Sequence, residues 1–251
     1  MNDYPRPLLD HLLELRQRLI LMLVGFVVVF AICYYYSEPI FQFLVRPLAN
    51  LLQEKGEGRR LIYTGLTEAF LTYIKVAAFA AAFLSFPLFA MQIWRFIAPG
   101  LYENERKLCV GLFLATPLLF FSGAVFAYTI IFPNAYEFFL SFESNTGYLP
   151  IQLEAKVNEY LSFVMRLIFA FGICFELPVV LTLLAGTGMI TPQTLIDKWR
   201  IAVVLIFVIA AFITPPDILS MVGLALPLIM LYGLSILMVH ALAKHRLKRN
   251  D

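Results

Sequence analysis

Six apolar runs, each long or nearly long enough to cross a bilayer, leave this chain few folds to choose from. They lie at 19–36, 76–94, 108–132, 160–185, 199–214 and 218–241. About 20 apolar residues in a helix cover roughly 30 Å of hydrocarbon at about 1.5 Å per residue. Composition agrees: 61% of the 251 residues are hydrophobic and 14% are charged, with a mean hydropathy of +0.82. So apolar a chain cannot hide its surface in one soluble core, which also excludes a disordered, coiled-coil or disulfide-rich secreted protein. The expected fold is all-α, one polytopic membrane domain spanning 1–251. A net charge of +2 is no nucleic-acid footprint. Cys33, Cys109 and Cys174 sit inside apolar runs without metal-ligand spacing and read as small buried hydrophobes.

Cations set the orientation. Six spans place both termini on one side. That side holds Arg6, Arg16 and Arg18 before the first span and Arg95, Arg106 and Lys107 after the second. It also holds Lys198 and Arg200 after the fourth, and Lys244, Arg246, Lys248 and Arg249 in the tail. The opposite side holds only Arg46, Lys55, Arg59, Arg60 and Lys156. The richer side is expected to be cytoplasmic. Lys75 and Arg166 lie near span ends, where both can snorkel to the outer interface. Asp10 and Glu14 accompany the arginines of the first flank, unlike a signal-peptide n-region, so this segment is expected to be retained.

The spans are unequal. The fifth has about 14 strongly apolar residues, roughly 21 Å of helix, and is joined to the sixth by Pro215-Pro216-Asp217. Local thinning of the bilayer is expected there. Between the first two spans, residues 38–52 place Phe41, Leu44, Val45, Leu48, Leu51 and Leu52 at helical spacing. They predict an external amphipathic helix, with Pro39 in its first turn and a kink at Pro47. Residues 133–159 form the longest predicted external excursion. No internal repeat is visible.

Catalytic and metal signatures are absent: there is no G-x-S-x-G, H-E-x-x-H or phosphate-binding loop, and no cofactor is implied. His11, His240 and His245 all lie near the cytoplasmic interface. The informative residues are acids. Glu176 falls within the fourth span, beside Pro178, where an ionisable group costs on the order of 3 kcal/mol unless paired or wetted. Two readings stand: a protonated acid hydrogen-bonded inside the bundle, or a polar docking point opening onto a concave, wetted surface. Glu14 and Glu105 lie at the cytoplasmic interface beside Phe96, Leu101 and Tyr102. Carboxylates accept forked bonds from guanidinium groups and aromatic faces stack on them, so a site for a cationic peptide is one reading. Helix-capping and solvating acids are the other.

Five motifs, in order along nearly the whole chain, resemble the TatC family of the twin-arginine protein translocase. They are HLLELRQRL at 11–19, FIAPGLYENER at 96–106, YLSFV at 160–164, FELP at 175–178 and TPPD at 214–217. The resemblance implies a six-helix, concave, glove-like bundle whose fifth and sixth helices are short, with both termini cytoplasmic in the bacterial inner membrane. It implies export of folded proteins driven by the proton-motive force, with TatA-like and TatB-like single-span partners, self-association in the receptor complex, and contact with lipid. By motif it assigns signal-peptide binding to Glu14, Glu105, Phe96, Arg16, Leu101 and Tyr102. Glu176 and Thr214 become intramembrane polar or docking positions, and Pro47, Pro87 and Asp217 structural or functional ones. Arg59-Arg60 lies in an external loop and is not a signal. Arg166 has no counterpart in this scheme. The alternative is a secondary transporter or channel subunit for a small solute, which predicts internal symmetry and midplane polar residues from several spans.

The topology is testable directly. Single cysteines at Lys55 and Gly147 are expected to react with a membrane-impermeant thiol reagent from outside intact cells; reaction only after the cytoplasm is opened would reverse the orientation.

Overall fold

The computed structural model describes residues 8–54, 61–97, 106–143, 154–213 and 218–250. They are helical throughout apart from turns and one isolated β-bridge. In chain order the helices are α1 (Leu8–Tyr35), α2 (Ser37–Glu54), α3 (Glu68–Leu84), α4 (Phe86–Ile97) and α5 (Arg106–Phe126). A π-helical turn, Ala127–Ile131, leads into α6 (Phe132–Leu140). Then follow α7 (Val157–Phe175), α8 (Leu177–Gly186), α9 (Pro192–Asp197), α10 (Trp199–Ile213) and α11 (Ile218–Asn250).

Four stretches are long and apolar enough to cross a membrane: Leu12–Tyr35, Gly111–Leu140, Val157–Gly186 and Met221–Ala243. A fifth is the pair α3 and α4, bent by 45° at Ser85. The remaining expected span, α10, has 15 residues, about 22 Å, and is too short to cross unaided.

Several boundaries differ from the sequence reading, and prolines explain most of them. The second span starts at Glu68 rather than 76, because Lys75 stays on the helix and reaches out to Asn158. It breaks at Ser85 because Pro87 has no N–H to donate and its ring crowds the carbonyl four residues back, at Phe83. The third span does not end at 132. It continues past Pro133 to Leu140, so the external excursion is shorter than expected. Pro133 crowds the Thr129 carbonyl in the same way, and the π-helical turn directly before it absorbs the misfit. The fourth span breaks at Glu176, two residues before Pro178. The last helix is not short: α11 runs 33 residues, its apolar part ending at Ala243 while the helix continues through the cationic tail.

The predicted amphipathic helix is present as α2, which passes through Pro47 without ending. Pro47 cannot donate to the Phe43 carbonyl. The Tyr128 hydroxyl donates to that carbonyl instead, at 2.7 Å, and the two rings stack 4.8 Å apart. The Tyr160 hydroxyl donates to the next carbonyl, Leu44, at 2.9 Å. Leu44, Leu48 and Leu52 of α2 are buried in the main core with Phe132, Tyr136 and Leu161.

Helices meet where side chains are smallest. A Cβ on Gly123 of α5 would stand 2.6 Å from the Phe171 carbonyl oxygen of α7, and one on Gly172 would stand 2.7 Å from the Phe120 ring. Such close crossings drive helix association in lipid, where burial of apolar surface gives little. Cys33 of α1 packs similarly on Ala77, Ala80 and Ala81 of α3. After α8 the chain reverses through Gly188 at φ +77, with Met189 N–H on the Leu184 carbonyl and Gly188 N–H on the Ala185 carbonyl. This closing turn satisfies two of the last carbonyls of the helix.

Tyr128→Phe should cost about 0.5–1 kcal/mol, because it orphans the Phe43 carbonyl. In a Pro47→Ala background the same change should cost less than half as much, since residue 47 then donates to that carbonyl. Thermal unfolding of the two singles and the double in detergent measures this coupling; strict additivity would show that Tyr128 is not serving the proline.

Candidate functional site

Two of the described acids, Glu14 and Glu176, mark two centres, one at the helix end where α1 begins and α4 finishes, the other between α5 and the α7–α8 break. At the first, Glu14 and Arg18 lie one turn apart on α1, the spacing at which side chains on a helix meet. The Arg18 guanidinium donates to Glu14 Oε1 through Nη2 and, at 3.1 Å, through Nε. Its Nη2 also donates to the Arg95 carbonyl at 3.1 Å, tying α1 to the last turn of α4. Both side chains are mostly buried, Glu14 24% and Arg18 19% exposed. Phe96, half-buried, follows Arg95 directly. The structure therefore brings Glu14 and Phe96 to one junction, while Arg16 points away and is exposed. Glu105, Leu101 and Tyr102 lie outside the described residues, as do Thr214 and Asp217.

Arg18 is the residue that sequence reasoning passed over, counting it only as a loop cation. Its four-residue spacing from Glu14 was the available signal. The consequence is chemical. Glu14 already holds a guanidinium in charge-assisted bonds, so the site has the shape and charge that an arginine side chain needs.

The second centre surrounds Glu176, which caps the gap between α7 and α8. Of its two readings, the docking one expected it to open onto a concave surface. Instead it is only 9% exposed, because the break before Pro178 turns it toward α5. The Thr116 hydroxyl and the Phe120 backbone lie beside its carboxyl. Its Oε1 has no hydrogen-bond partner among the described residues. Thr116 itself donates to the Leu112 carbonyl at 3.1 Å and accepts from Trp94 Nε1 at 3.3 Å. Trp94 precedes Arg95, so the last turn of α4 touches both centres. Gln92 and Ser85 on the same helix pair are buried with Nε2 and Oγ unsatisfied among the described residues. Neither was singled out from sequence, although a glutamine inside an apolar run was a visible signal. Pro47 and Pro87 are half-buried and act on the backbone, as described above.

The described residues contain no cluster of His, Cys, Asp or Glu able to hold a metal ion. What the two centres offer is recognition: a guanidinium seat at a helix junction, and a buried acid with an unused acceptor.

Known proteins agree in sequence and in fold. The family described as Sec-independent protein translocase protein (TatC) matches residues 10–227. The TatC protein of Rickettsia prowazekii (strain Madrid E) is 47% identical over 228 residues, 91% of this chain and 90% of its own length. That of Escherichia coli (strain K12) is 36% identical over 231 residues, 92% and 87% respectively. A crystal structure of the twin-arginine translocase receptor TatC in the detergent DDM superposes with a TM-score of 0.79 at 37% identity, covering 91% of this chain and 99% of that one. With the match running through both centres and nearly every helix, the chain belongs to the TatC family of Sec-independent protein translocase proteins.

Proposed function

We propose that this chain is the core receptor subunit of a twin-arginine translocase in a bacterial cytoplasmic membrane, with both termini inside. It binds paired-arginine signal peptides at the α1–α4 junction. With TatA-like and TatB-like single-span subunits, and in association with further copies of itself, it exports folded proteins at the expense of the proton-motive force. It is a transport subunit rather than an enzyme. The observation that carries this reading is the Glu14–Arg18–Arg95 arrangement, in which a largely buried carboxylate already grips a guanidinium beside Phe96.

In this reading Arg18 is a resident occupant that a signal arginine displaces. Glu14 then pairs with one arginine of the peptide and Glu105 with the other, while Phe96, Leu101 and Tyr102 supply the apolar and aromatic surround and Arg16 orients the helix end. A lysine substitutes poorly because it lacks the planar fork that made the resident contact. Partly exposed charge-assisted pairs contribute about 1–2 kcal/mol each.

Glu176 enters the function as an acid that needs a donor. A carboxyl at that depth is costly to leave with an unused acceptor. A polar side chain on a partner's span, admitted where α7 and α8 part, supplies the missing bond, and a neutral acid can both donate and accept in return. By motif Thr214 shares this docking role, while Pro87 and Asp217 are structural or functional positions.

Two outcomes check these roles. Glu14→Gln combined with Glu105→Gln should weaken binding of a paired-arginine peptide by roughly tenfold or more, whereas Arg18→Gln should strengthen it by removing the competitor. Weaker binding in Arg18→Gln would mean that Arg18 builds the site rather than occupying it. For Glu176, the alanine variant should impair partner assembly and export more than peptide binding, and the glutamine variant should retain much of the export. Equal damage from both would replace docking by proton carriage.

A further inference from the structure

The opposite end of the bundle, where α3 and α7 begin, holds a cavity that the export reading leaves unused. Its walls come from segments far apart in sequence. Ile62 pairs with the chain before α7: its N–H donates to the Ala155 carbonyl at 3.2 Å, and its carbonyl accepts from Val157 N–H at 3.1 Å. The cavity beside this clip has a volume of ≈ 310 Å³ and is lined by Glu68, Leu71, Lys75, Lys156, Asn158 and Glu159, among others.

Its charges are unevenly committed. The Glu68 carboxylate accepts from Thr64 N–H at 2.7 Å, Gly65 N–H at 3.0 Å, the Thr64 hydroxyl at 3.1 Å and Asn158 N–H at 3.3 Å. Four donors fix this carboxylate against the 64–65 turn and the start of α7, and it keeps its negative charge there. Lys75 Nζ donates to Asn158 Oδ1 at 2.7 Å, which leaves two of its three N–H groups unspent. Lys156 meets Glu159 at 3.6 Å in an exposed pair worth little. Both α3 and α7 also point their N-termini, the positive ends of their dipoles, at this place.

The rim is apolar. Leu66 at the tip of the 61–67 turn is fully exposed, and Tyr63, Phe70 and Leu71 are exposed beside it. A polar cavity that carries two ammonium and two carboxylate groups, edged by bare apolar side chains, matches the level at which lipid headgroups give way to acyl chains. Arg166, seven residues beyond Glu159 on the same face of α7, is exposed with no partner among the described residues. At about 10 Å further along, its guanidinium can reach back to the same layer.

We propose that this cavity binds the phosphate group of a phospholipid in the leaflet where α3 and α7 begin. Lys75 and Lys156 hold the phosphate, and the acyl chains descend past Phe70 and Leu71. The full-length protein in neutral detergent, titrated with phosphatidylglycerol and followed by native mass spectrometry, tests this. One tightly retained lipid is expected. Lys75→Gln with Lys156→Gln should reduce its occupancy by about fivefold per lysine, and the corresponding double arginine variant should restore it. Diacylglycerol with the same chains should not be retained, and inorganic phosphate at equal concentration should not displace the lipid. Unchanged retention in the double glutamine variant would overturn the site. Displacement by inorganic phosphate would overturn the lipid as its occupant. Lys156→Gln alone, a change at a side chain whose ion pair is exposed, keeps the test open should the double variant unfold; it should still lower retention by about fivefold, and no change would reject the proposal.

Discussion

A backbone carbonyl has nowhere to turn in hydrocarbon. Water is absent, so each proline within a span deprives one carbonyl of its donor and the structure must answer locally. The answers differ by position. At Pro47, on the amphipathic α2 rather than on a span, a tyrosine hydroxyl from the α5–α6 run takes the Phe43 carbonyl. At Pro133 the helix widens into a π-helical turn. At Pro87 and Pro178 the helix breaks, after Leu84 and after Phe175. These repairs decide where the rods bend and which side chains their ends present.

Two buried polar residues sit at the breaks. Ser85 and Glu176 are the single residues left between helices at the two breaks. Both side chains are buried, Ser85 at 2% and Glu176 at 9% exposed. The α1–α4 junction depends on the first break too. Bending α4 by 45° carries its last turn toward α1, where the Arg95 carbonyl meets Arg18. A straight α3–α4 rod would leave Glu14 without that backbone support.

Apolar run length made the helical membrane architecture legible, and the amphipathic helix α2 followed from the helical spacing of its apolar residues. Boundaries were misplaced where proline was taken as punctuation: Pro133 read as the start of a loop, although helices in lipid tolerate proline once its carbonyl debt is met. The break at Ser85 was hidden because serine and proline interrupt neither hydropathy nor charge. Glu14, Phe96 and Glu176 were legible as chemistry, acids and an aromatic where a plain connector or span needs none. Their settings were not. The burial of Glu176 depends on the packing of α5 against the α7–α8 break, and the Arg18 contact with Arg95 joins positions 77 apart.

The clip between Ile62 and the chain before α7 has a further consequence in time. Its partners are far apart along the chain: Asn158 N–H reaches the Glu68 carboxylate across 90 positions, and Lys75 reaches Asn158 across 83. At about 5–20 residues per second of synthesis, the α3 half waits roughly 5–20 s for its other half. During that interval the nascent α3 end carries a lysine whose amide partner does not yet exist. This end of the bundle is thus a latch that shuts only once α7 has been made, so the order of synthesis is written into the contact itself.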